Sequence, residues 1–105
     1  MARGRPTYSK VRQNIVEILY HLKKGYGYDI FRVYREIFPP VTMRLIYYHL
    51  KKGTSLGEFK INQIIKEQGD FSWGNSVEKI YYELGGEAKP TMDIKVKEYF
   101  DKNKN

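Results

Sequence analysis

There is no cysteine among the 105 residues, so neither a disulfide framework nor a thiolate nucleophile or metal ligand is available. No apolar run approaches the length of a membrane span. The charged N-terminus is not followed by an apolar stretch of the signal-peptide type, and an intracellular, cytoplasmic location is expected. Histidine is scarce: His21 and His49 fall on different predicted helices without clustered carboxylates, so no metal site is expected. No Ser-His-Asp order, carboxylate pair or phosphate-binding loop is present. Gly25 and Gly27 in "GYGYD" follow no predicted strand and read as a helix stop and a tight turn. An enzyme is not expected, nor a cofactor.

What the chain does hold is positive charge, unevenly placed. The formal net charge is +7. Residues 1–55 carry eleven Lys and Arg against three Asp and Glu, a net of +8, whereas residues 56–105 carry eight against nine, a net of −1. A polyanionic partner would dock on the first half. A lysine-rich surface that only confers solubility is the other reading of the same numbers.

Apolar periodicity divides the chain into elements. Val11, Ile15, Ile18, Leu19 and Leu22 share one helix face, with Ser9 as N-cap and Gly25 as the stop. Ile30, Val33, Tyr34 and Ile37 repeat the pattern, and Pro39-Pro40 must end that second helix. A third helix starts at once, capped by Thr42, with a staple between Val41 and Ile46. Its predicted buried stripe is Met43, Ile46, Tyr47 and Leu50, and Gly53 is its predicted stop. The period then becomes that of strands. Phe59 and Ile61 alternate on one arm and Ile80, Tyr82 and Leu84 on the other, with turn residues between 69 and 76 and a bulge expected near Gln63–Ile64. After Gly85-Gly86, the residues Met92, Val96, Tyr99 and Phe100 are spaced for a short last helix, which must pack on something to persist. The organisation expected is a basic arm over 1–7, a folded domain over 8–86, and a helix with a polar tail over 87–105.

Three helices followed by a hairpin is the order of the winged helix-turn-helix. The stretch "YGYDIFRVYREIFPPVTMRLIYYHLKKGTSLGEF" resembles that group. "YGYDI" is similar to the start of the second helix in PadR-type regulators, and "IYYHLKKG" to the end of recognition helices more widely. With "RGRP" at its start, the chain also resembles small archaeal winged-helix proteins. The resemblance covers about residues 8–84. It implies an α+β winged helix-turn-helix fold, three helices plus a two-stranded wing and here a short C-terminal helix. It also implies transcription regulation through double-stranded DNA. Two features depart from the pattern: Leu45 on the exposed face of the third helix, and a wing tip, "KEQGDFSWGNS", that is not basic.

The third helix can be read without the family. Opposite its predicted buried stripe lie Arg44, Leu45, Tyr48, Lys51 and Lys52, following the cap residue Thr42. A helix fits the major groove, where Arg pairs with guanine and an apolar side chain meets a thymine methyl. Lysines and a tyrosine hydroxyl suit phosphates. A solvated polar face on a core helix would look the same in sequence. In the arm, Arg3-Gly4-Arg5-Pro6 resembles the core of the AT-hook. Gly permits close approach, Pro keeps the chain extended, and Arg3 and Arg5 can follow a narrow A·T minor groove. Phe71 and Trp73 at the wing tip read as packing residues rather than base-stacking ones. Three functions remain open: a sequence-preferring regulator, a chromatin-like architectural protein, and a protein-docking module. A homodimer through Met92, Val96, Tyr99 and Phe100 is one expectation for the last helix, and packing within the chain the other.

Overall fold

Ser9 opens the first helix as the sequence predicts, its hydroxyl accepting a 3.2 Å hydrogen bond from the Arg12 amide. The computed structural model describes residues 9–71 and 74–103, with backbone alone over 67–77. Its order is α1 (Lys10–Leu22), β1 (Gly25–Tyr26), α2 (Gly27–Ile37), α3 (Met43–Leu56), β2 (Phe59–Phe71), β3 (Gly74–Leu84) and α4 (Ile94–Lys102). The described residues thus form an α+β fold of four helices and one antiparallel sheet. The expected arm, residues 1–7, lies outside them.

The sheet has three strands rather than the expected two, in the order β1-β3-β2. Helix α1 ends at Leu22, and Lys23 takes up the turn with φ 73°. That frees Gly25 and Tyr26 to pair with Tyr82 and Tyr81 of β3. The predicted helix stop at Gly25 is therefore a strand residue. Two residues carry no readable alternation, so β1 has no sequence period of its own. Between β2 and β3 the register shifts between Ile61 and Gln63, beside the expected bulge. Phe59 is buried, whereas Ile61 and Ile64 are 48% and 52% exposed, because the hairpin runs past the helices. The side chains of Phe71 and Trp73 lie outside the described residues.

The core gathers Ile15, Ile18, Leu19, Ile30, Tyr34, Ile46, Leu50, Phe59 and Val96, drawn from all four helices and β2. Burial of this set is the main favourable term for so small a domain. Helix α1 is central and is buried beyond its apolar stripe, taking in Arg12, Asn14 and Glu17. Each of these side chains makes at least one hydrogen bond, although Asn14 Oδ1 is buried without a partner among the described residues. Arg12 Nε donates to Glu58 Oε1 at 2.9 Å, and Asn14 Nδ2 donates to the Tyr34 hydroxyl at 3.1 Å. Glu17 accepts from the amide and hydroxyl of Thr91 (2.7 and 2.8 Å), from the Asp93 amide (3.2 Å) and from Gln13 (2.8 Å). This carboxylate pins the segment before α4 to α1. Burial opposes its charge, but the donors from Thr91, Gln13 and Asp93 outweigh that and hold its pKa below the ordinary glutamate value.

Helix α3 passes its predicted stop. Gly53 lies inside it, and the helix ends at Gly57, in the left-handed region at φ 85°. The reason Gly53 is glycine is the Phe59 ring, which lies against its backbone where a Cβ would otherwise project. Helix α4 begins with Asp93 as its N-cap. Met92, expected within the last helix, precedes it at φ 63°. Val96 is fully buried in the chain's own core, and Phe100 stacks on His21 with centroids 5.0 Å apart. Packing within the chain therefore takes two of the four residues expected at a dimer contact.

Candidate nucleic-acid interface

Helix α3 owes its place to the turn before it. Pro39 and Pro40 stop α2, and Thr42 then caps α3, its hydroxyl accepting from the Leu45 amide at 3.1 Å. The buried stripe of the helix is Ile46, His49, Leu50 and Gly53. This corrects the predicted stripe at two places: Met43 is only half-buried and Tyr47 is 46% exposed, while His49 is inside. Tyr47 lies over Gly27, the first residue of α2, whose missing side chain makes room for the ring. Burial, then the nearby Tyr26, push the Tyr47 pKa up. Tyr47 in turn acts, after burial, in the same direction on Tyr82. Tyr26, Tyr47 and Tyr82 are thus neighbours drawn from β1, α3 and β3.

The face of α3 opposite its core stripe is open to solvent. Arg44, Tyr48 and Lys51 are exposed, Tyr48 to 55%, while Leu45 and Lys52 are half-buried. Among the described residues, neither the hairpin nor α4 covers this face. No acidic residue occurs anywhere in α3, so the charged side chains it carries, Arg44, Lys51 and Lys52, are all cationic at neutral pH. Tyr48, Lys51, Lys52 and Ser55 line a shallow depression of about 290 Å³. Two ammonium groups and two hydroxyls around one hollow suit an anionic oxygen. Ser55 was not predicted, because a helix stopping at Gly53 would have placed it in a turn. Five of the six expected α3 residues, Arg44, Leu45, Tyr48, Lys51 and Lys52, share one side of the helix, with Thr42 exposed at its start. Arg3 and Arg5 lie outside the described residues.

His49 sits directly behind this face. Its ring meets Tyr48 edge-on at 4.9 Å, and its Nδ1 is buried without a hydrogen-bond partner among the described residues. Burial, then the Arg12 guanidinium, lower its pKa, so it stays neutral near pH 7. Among the described residues no group of three or more His, Asp or Glu is placed to hold a metal ion. No described helix is long and apolar enough to cross a membrane.

On helix α2, Arg32 lies 5.9 Å from the Tyr28 ring centre and Arg35 lies 5.4 Å from that of Phe31. Both arginines line a separate depression with Glu36 and with Tyr99 of α4. No protein-family model matches the chain, and comparisons with curated proteins and with solved structures find no match either.

Proposed function

We propose that the protein is a winged helix-turn-helix DNA-binding protein that acts as a transcriptional regulator. Helix α3 enters the major groove and the β2–β3 hairpin serves as the wing. The observation that carries this reading is the open, acid-free face of α3. A core helix with an idle polar face gains nothing from excluding both acidic residues and covering elements, whereas a groove-reading helix requires both. Arg44 and Leu45 are the base-reading residues in this arrangement. Tyr48, Lys51, Lys52 and Ser55 hold phosphates. The RGRP arm follows the adjacent minor groove through Arg3 and Arg5. Met92, just before the last helix, and Tyr99, within it, are left outside the core and are what a two-fold partner would meet there.

Fluorescence anisotropy with duplex DNA across a salt series tests the proposal. Log affinity should fall linearly with log salt, by about 0.9 per phosphate contacted. Selection of bound sequences from random duplexes should return a defined site, and removal of residues 1–6 should weaken binding more when A·T pairs flank it. A steep salt slope without sequence preference would identify an architectural protein. No binding at low salt would point to a docking module.

A further inference from the structure

The hairpin tip is a poor phosphate grip, with Lys66 followed by Glu67 and Asp70. The base of the sheet is different. Tyr26 of β1 and Tyr81 of β3 are register partners, and their rings stand 5.3 Å apart. Over each ring lies a lysine from the other side of the pair. Lys79 Nζ is 4.9 Å from the Tyr26 centroid, and Lys24 Nζ is 5.8 Å from that of Tyr81.

We infer that Lys24 and Lys79, held over the paired rings of Tyr26 and Tyr81, form a second contact for the phosphate backbone of duplex DNA. This contact takes the place of a basic wing tip. The inference rests on the reading of α3 as the groove-entering helix. Two arguments carry it. The first is continuity: Tyr47, on the exposed side of α3, lies over Gly27, the residue that follows Tyr26, so the sheet base adjoins the α3 surface. The second is order. A free lysine loses its rotamer freedom when it grips a phosphate, but one already resting on a tyrosine ring has lost much of that freedom beforehand. The tyrosine hydroxyls supply neutral donors to the same oxygens. The partner is a duplex long enough to pass α3 and reach the sheet base, contacted without regard to sequence.

The test is the salt dependence of affinity for the full chain and for the double variant Lys24→Gln/Lys79→Gln. Two duplexes serve as probes, one of about three helical turns and one of about a single turn. On the long duplex the variant should show a slope shallower by about two units. On the short one, which α3 alone can fill, it should match the wild type. Lys24→Arg/Lys79→Arg should keep the wild-type slope, separating lost charge from altered structure. A wild type with a steep slope and a double variant that matches it on both duplexes overturns this inference and leaves the α3 reading standing. A flat slope for the wild type overturns the α3 reading, and this inference with it.

Discussion

The Phe59 ring rests on the backbone of Gly53, so the first residue of β2 fills the space a side chain on α3 would need. Phe59 is 1% exposed and cannot move aside. Gly53→Ala should therefore destabilise the domain by roughly 1–3 kcal/mol or more through overpacking, despite alanine's better helix propensity. The counterpart is Gly27→Ala, which would meet the outer atoms of the Tyr47 ring. That ring is 46% exposed and can swing into solvent, so the loss should stay under about 1 kcal/mol. Thermal unfolding of the two variants decides the matter. Equal shifts in Tm would mean that Phe59 is not the fixed partner described.

Glu17 links stability to pH at the acid end. Its folded pKa lies below its unfolded value, so its contribution is fully present above the ordinary glutamate pKa of about 4.3. It is lost as pH falls through the lower, folded value. Glu17→Gln should cost about 1–3 kcal/mol at neutral pH, and the gap from wild type should narrow on acidification. Urea melts from pH 7 to pH 3 measure this. A gap that does not change with pH would show that the carboxylate charge is irrelevant to the clasp.

His49 acts in a different window. Its folded pKa is depressed, so the folded state resists the proton that the unfolded chain accepts below about 6.5. Stability present above that pH should fall as pH drops through it, with the loss continuing to the folded value. The groups facing the imidazole are Arg12, from α1, and Tyr48, on α3 itself. His49→Gln should flatten the stability profile below the ordinary histidine pKa of about 6.5. The Glu17 step should remain. Persistence of the full slope in the variant would assign it elsewhere.

Arg44→Ala should weaken binding to the selected site more than to a scrambled duplex. A bidentate arginine–guanine pair is worth about 1–3 kcal/mol of discrimination. Lys52→Ala should weaken both alike and make the salt slope shallower by about one unit. Anisotropy on the two duplexes separates these roles. Equal losses for both variants on both duplexes would reject the division of α3 into base-reading and phosphate-holding positions.

Most element positions were legible because caps and proline stops are local. Ser9 and Thr42 cap the helices they were expected to cap, and α2 ends before Pro39. What stayed hidden depends on partners far away in the chain. Gly53 looks like a stop until Phe59 is seen on it. Glu17 looks like an exposed helix residue until Thr91 and Asp93 are seen around it. Strand β1 exists only because β3 accepts it. On α3 the apolar spacing admitted either Tyr47 or His49 to the core. Tyr47 was the natural choice, because nothing local reveals that it settles over Gly27, at the start of another helix. The exposed set Arg44, Tyr48 and Lys51 survived that shift because it lies on the far side of the helix.

The pairing of residues 25–26 with 81–82 also bears on the order in which the chain assembles. During synthesis the three N-terminal helices emerge first, yet the strand between α1 and α2 has no neighbour until β3 follows. Closing this long loop gains almost nothing until both ends are present. The helices can gather early around Ile15, Ile30 and Ile46, but the sheet is sealed only by the penultimate element. A ribosome-bound chain ending before residue 80 would expose Gly25 and Tyr26 as an unpaired strand. Arrest at that length, followed by limited proteolysis, would find the α1–α2 junction open to cleavage, and extension past residue 84 would close it.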